Sequence, residues 1–312
     1  MLSVFANPLN TKVLRAHAEG PQRLSQVQEK VDWAAEATTR GALRTLRDVG
    51  ALEKRRAAEA SNAVETVLTP MGEEMLAVGE VLEGWLQQCP KGAISINDGH
   101  VRVAVTALTE GWSTTLMHAL AAGPLTLTEL SSLILDISYP ALERRIGWMR
   151  TTGQLNALPK EPRGVPYEPT DWLRRAITPL AMAMRCERRH MEDCPAITDV
   201  EVETAFLLAL PVAPLPTGRP HTCTIAVQTD AIELHDEELP IAGVNIDLQA
   251  DGSITCSVGL VAKPRTWVVG TAEDWLDAML DARFATLRIG GAHPQVAADT
   301  ISALRYALFI DR

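Results

Sequence analysis

Through the first 190 or so residues, apolar side chains recur at the three-to-four spacing of amphipathic helices. Beyond residue 220 they alternate as strands do. The helical spacing predicts helices over 10–19, 24–31 and 36–49. Gly20-Pro21 ends the first, since Gly suits a left-handed cap and Pro cannot continue a helix, and Gly50 closes the third. A polar, hairpin-like stretch, LEKRRAAEASNAVETVLT, comes next. A further helix then opens at Thr69-Pro70, where Thr suits the N-cap and Pro the first helical position.

The pattern then repeats. A shift of 103 residues lays VLRAHAEGPQRLSQV (13–27) on LMHALAAGPLTLTEL (116–130) and ALRTLRDVGAL (42–52) on RIGWMRTTGQL (145–155). With a two-residue change of offset, TVLTPMGEEML (66–76) falls on YEPTDWLRRAI (167–177). Few identities survive, but the apolar positions and the punctuation do, which marks a duplicated module. The second copy reads as helices over 112–122, 127–135 and 139–152, a polar segment LNALPKEPRGVPYEPT, and a helix opening at Thr170-Asp171. Three helices, a two-stranded wing and a closing helix make a winged helix-turn-helix, one expected in residues 1–90 and one in 91–194.

The third helix of each copy carries the candidate chemistry. In 36–49, Leu43 and Leu46 face inward while Arg40, Arg44 and Arg47 share the opposite stripe at i, i+4, i+7. In 139–152, Leu142, Ile146 and Met149 face the core, Ser138 is placed to cap, and Arg144, Arg145 and Arg150 are read as projecting outward. Lys54, Arg55 and Arg56 open the first wing, and Lys160 and Arg163 occupy the second. Cations on a helix and on the loop beside it neutralise phosphates, and side chains at the helix start reach base edges. Thr38, Thr39, Ser138 and Tyr139 are the candidates for base contact. One Arg-rich helix alone is commonly a solvated face; finding the whole arrangement twice is what favours DNA.

The stretch LMHALAAGPLTLTELSSLILDISYPALERRIGWMRTTGQL, followed by PYEPTDWLRRAITPLAMAM, resembles HxlR-type winged-helix transcriptional regulators, and residues 10–88 resemble them more faintly. The resemblance covers about 180 residues. It implies a DNA-binding regulator in which two modules of one chain stand where family members pair two chains on a near-palindromic site. Gly41 occupies the place of Arg144, and Glu143 lies mid-helix, so the two halves are expected to read different sequence. Redox-sensing members carry a reactive Cys near the N-terminus, whereas the first Cys here is Cys89.

Past residue 195 the texture becomes a Pro-rich connector, LPVAPLPTGRP, and then β-branched alternation in TCTIAVQT, AGVNIDLQADGSITCSVGL and TWVVGT. Asp251-Gly252 signals a hairpin. A helix, AEDWLDAMLDAR, a short strand, ATLRIGG, and a last helix complete an α+β domain over 195–312, with an antiparallel sheet expected. This order resembles sterol-carrier-protein domains, which enclose an apolar cavity. On that resemblance Trp267, Trp275, Met279, Phe284 and Leu287 would line a pocket for a small apolar or amphipathic ligand, against the plainer reading that each is core. The expected fold class is therefore mainly α with an α+β part.

Charge changes the picture only when divided along the chain. Residues 1–192 hold 22 basic and 22 acidic side chains, and the rest hold 7 and 17, which is the whole net charge of −10. The front two-thirds can thus carry basic patches. There is no phosphate loop, GxGxxG after a strand, HExxH, GxSxG or CxxC, so no enzyme and no cofactor is expected. Cys186, His190 and Cys194 repeat at i, i+4, i+8, a thiolate and imidazole set. They lie at a helix end before Pro195 without an evident fourth ligand, so no metal is assigned and buried or idle thiols are the default. No apolar run reaches the roughly 18 residues of a membrane helix, and five cysteines without a framework suit a reducing, cytoplasmic setting. The expected partners are double-stranded DNA and a small ligand, with the chain a monomer or homodimer. The alternative is a protein-interaction module whose winged helices no longer bind DNA.

Overall fold

The computed structural model describes residues 1–31, 33–56, 64–109, 113–160, 162, 164–215, 220–228, 241–251, 253–261 and 263–310. The chain forms two compact units, Met1–Glu110 with Met182–Glu192, and Gly111–Ala181 with Asp193–Arg312. Among the described residues no helix is long and apolar enough to cross a membrane.

In the first unit a short 3-10 turn, Leu2–Ala6, leads into α1 (Pro8–Ala16), α2 (Leu24–Lys30) and α3 (Glu36–Asp48). Asn7 caps α1 by accepting from the Leu9 N–H at 3.1 Å, with Pro8 at the first helical position. An antiparallel hairpin follows, β1 (Leu52–Arg56) and β2 (Val64–Leu68), in the register Leu52↔Leu68. Gln22 adds a third edge through two 2.9 Å backbone bonds with Thr66. Then come α4 (Pro70–Gln87) and α5 (Val101–Thr109). Leu9, Val13, Val27, Leu43, Leu46, Met75 and Leu82 are buried together at helical spacing, each element giving the core one stripe.

The second unit repeats that order with α6 (Ser113–Ala122), β3 (Leu125–Thr126), α7 (Leu127–Leu133), α8 (Tyr139–Thr152), β4 (Leu155–Ala157) and β5 (Pro166–Pro169). These three strands run in the order β3-β5-β4. A short α9 (Asp171–Arg174) and a longer α10 (Ile177–His190) come next, the last part of α10 belonging to the first unit.

The duplication extends to individual hydrogen bonds. In the first copy Gly50 takes φ +80°, and the Thr69 hydroxyl donates to the Gly50 carbonyl at 2.6 Å while accepting from the Gly72 N–H. In the second, Gly153 takes φ +82°, and the Thr170 hydroxyl donates to the Gly153 carbonyl at 2.8 Å while accepting from the Leu173 N–H. One threonine thus fastens the end of the third helix to the start of the next in both copies.

The rest of the second unit is α11 (Asp199–Ala209), a sheet of β6 (His221–Gln228), β7 (Ile241–Leu248), β8 (Ile254–Val258), β9 (Thr266–Thr271) and β10 (Arg288–Gly291), and the helices α12 (Ala272–Asp281) and α13 (Pro294–Arg305). The strand order is β10-β9-β6-β7-β8. The sheet is mixed rather than antiparallel, because β9 runs parallel to β6 in the register Ile225↔Val268. Central β6 is buried continuously from Cys223 to Val227, as suits a strand covered on both faces.

The two units depart from a division at 90 and 194, for two physical reasons. Helix α5 buries Val101, Ala104, Val105 and Leu108 and packs on the Leu2–Ala6 turn, so 91–110 belongs to the first unit. Helix α11, in a stretch the sequence reading leaves without an element, packs on both α6 and β7 and joins the second copy to the sheet. It is capped by a reciprocal Thr198–Glu201 box.

Candidate nucleic-acid interface

Helix α3 exposes Arg40 and Arg44, with Arg47 half-buried on the same stripe, while Leu43 and Leu46 are buried. In β1 and β2 the two-residue alternation puts Lys54 opposite Thr66 on the face that looks onto α3. Between these elements lies a groove of about 400 Å³, lined by Arg40, Arg44, Arg47, Lys54, Gln22 and Thr66. Four cations from two elements therefore converge on one concave surface. Arg56 shares the strand face of Lys54, whereas Arg55 points to the other, across from Glu65.

The cations are held differently. Arg40 donates from Nε and Nη2 to Glu36 at 2.9 and 2.6 Å, and Arg47 donates from Nε to the Leu43 carbonyl at 3.1 Å. Arg44 has no ion-pair partner among the described residues. Thr38 is exposed in the first turn of α3, on its accessible side. Thr39 differs from expectation: it is buried, with its hydroxyl donating to the Ala35 carbonyl at 3.3 Å, and offers nothing to a groove. Behind Thr66, His17 is buried with its ring nitrogens 2.7 Å from the Val13 carbonyl and 2.6 Å from the Thr66 hydroxyl. Burial holds its pKa below the usual imidazole value.

The second copy is built alike and furnished otherwise. Ser138 stands at the N-cap of α8 but makes no capping hydrogen bond, and Tyr139 beside it is exposed. Arg144 and Glu143 are exposed. Arg145 is only 1% exposed, contrary to the outward projection expected of it, because it falls on the inner stripe with Leu142, Ile146 and Met149 at i, i+3, i+4, i+7. Arg150 stacks 5.6 Å from the centre of the Tyr167 ring on β5, a cation–π pair. Lys160 is exposed; Arg163 lies outside the described residues, as do 57–63 of the first hairpin. Leu133, Leu135, Tyr139 and Trp148 leave large apolar surface on α7, α8 and their connection, with Leu135 84% and Trp148 48% exposed.

Of the side chains proposed for a C-terminal pocket, Trp275 and Leu287 are buried and Trp267, Met279 and Phe284 half-buried. Trp275 donates its indole N–H to the Ala226 carbonyl at 2.8 Å and meets Phe206 edge-on at 5.1 Å. Leu287 fills the space over Gly270, and the Trp267 ring lies over Gly290. Cys186 and His190 do come together, with Glu74 of α4 as the third member, a residue that no spacing along the sequence would single out.

No protein-family model matches the chain, and no curated protein matches it.

Proposed function

We propose that this chain is a DNA-binding transcriptional regulator made of two winged helix-turn-helix modules and a C-terminal α+β part, and that the groove beside α3 receives the backbone of duplex DNA. The observation that carries this reading is the convergence of Arg40, Arg44, Arg47 and Lys54 on one groove of about 400 Å³. Phosphate neutralisation needs cations on two neighbouring elements, and a helix whose first turn is exposed can reach base edges. Arg44, unpaired among the described residues, is the cation with most to gain from a phosphate.

A gel shift of the intact chain with a pool of genomic duplex fragments tests the proposal. It predicts retarded complexes that weaken as salt rises, and an Arg44→Ala variant that binds less at every salt concentration. Absence of any retarded fragment at low salt rejects it.

The second module favours a second reading for itself alone. With Leu133, Leu135, Tyr139 and Trp148 exposed around α8 and Glu143 among its cations, that surface also suits a contact with another protein. Full DNA affinity in Arg144→Ala and Arg150→Ala variants, beside a loss in Arg44→Ala, selects that reading.

A further inference from the structure

Away from the groove, α4 and the last turns of α10 bring together Glu74, Cys186 and His190. Cys186 and His190 are one helical turn apart, so their side chains leave the same face, and Glu74 reaches them from the start of α4. One ligand atom from each lies within 4.8 Å of the other two. Tetrahedral ligands around an ion with bonds of about 2.0–2.3 Å stand about 3.3–3.8 Å apart, so small side-chain shifts bring the three atoms onto one ion.

The carboxylate is already arranged as a metal ligand would be. Its Oε1 accepts from Arg189 Nη1 at 3.0 Å, an outer contact that fixes its orientation, while Oε2 lies 3.4 Å from His190 Nε2. Beyond that 3.4 Å contact, the imidazole nitrogen is shut off from solvent and has no hydrogen-bond partner among the described residues, an unusual state for a buried polar atom. Cys186 is buried, and burial first, then the carboxylate of Glu74, pushes its thiol up to about 12. Glu187 and the amino terminus, paired with each other, are the other charges beside the cysteine.

We propose that Glu74, Cys186 and His190 bind a divalent cation of the borderline class, Zn²⁺ or a similar ion that prefers thiolate and imidazole. Three protein ligands leave a fourth position for water or another donor. The sulfur and nitrogen donors select against Mg²⁺ and Ca²⁺, which take oxygen. A bound ion would tie α4 to the end of α10.

The test is titration of the intact, chelator-stripped chain with Co²⁺. Expected are saturation at about one equivalent, a thiolate-to-cobalt charge-transfer band, and d–d bands of tetrahedral intensity that Zn²⁺ abolishes. Cys186→Ser removes the charge-transfer band and Cys194→Ser leaves it. His190→Ala and Glu74→Gln each weaken binding by about tenfold or more. Calorimetry in buffers of different ionisation heat shows release of about one proton per ion above neutral pH. A wild-type chain without the charge-transfer band, or a band that survives in Cys186→Ser, overturns the proposal. Should Cys186→Ser fail to fold, the two half-buried positions decide: unchanged affinity in both His190→Ala and Glu74→Gln overturns it equally.

Discussion

His17 joins α1 to the hairpin that walls the groove. The Val13 carbonyl can only accept, so Nδ1 carries the proton and Nε2 takes the Thr66 hydroxyl. Burial lowers the folded pKa below the ordinary 6.5. As pH falls through about 6.5 the unfolded chain takes up a proton that folded His17 resists, so the contribution is complete above about 6.5 and is lost toward the folded pKa. We expect His17→Gln to be less stable than wild type by about 1–2 kcal/mol at pH 7.5, and the gap to narrow at pH 5.5. Urea unfolding at the two pH values measures it, and a gap independent of pH would show that the ring does not titrate in this way. Arg145 reads as surface by residue type, yet its helical phase with Leu142 and Met149 puts it inside, and phase prevails. Glu74 could not be found, because its partners Cys186 and His190 lie more than a hundred residues away in sequence.

Among the elements, the third helix and its closing glycine were the most legible, because the amphipathic period and the left-handed glycine point to the same end. Gly50 and Gly153 occupy left-handed backbone, where a Cβ costs about 1–2 kcal/mol, whereas Gly41 lies inside α3 with open space around it. Gly50→Ala and Gly153→Ala should therefore lower the unfolding midpoint, and Gly41→Ala should raise stability by about 0.5–1 kcal/mol. Equal destabilisation by all three would contradict the assigned caps. Helix α11 carries no amphipathic stripe, because its polar and apolar residues are divided along its length, Asp199, Glu201 and Glu203 in the first half and Phe206, Leu207 and Leu208 in the second. The closing helix of the second copy differs from α4 by a break at Arg175, where α9 ends and α10 begins two residues later, which the shared Thr cap gave no reason to expect. The parallel pairing of β9 with β6 was equally out of reach, since alternation fixes which face a strand presents and not which neighbour it takes.

For the whole molecule, the net charge of −10 would argue against a nucleic-acid partner if it were spread evenly. It is not: the excess lies entirely past residue 192, while the first unit gathers four cations on one groove. The two modules share their cap hydrogen bonds and differ in what they expose, arginines in the first and apolar side chains with Arg144, Arg150 and Glu143 in the second. A duplicated scaffold with divergent surfaces suits two unlike contacts, and the phosphate contact is proposed on α3. Fluorescence anisotropy of a labelled duplex bound by the intact chain, over a range of salt concentrations, tests this most directly. The plot of log affinity against log salt should slope downward in wild type, and be shallower by about one unit in Arg44→Ala, the loss of one neutralised phosphate. Identical slopes for the two proteins would contradict it.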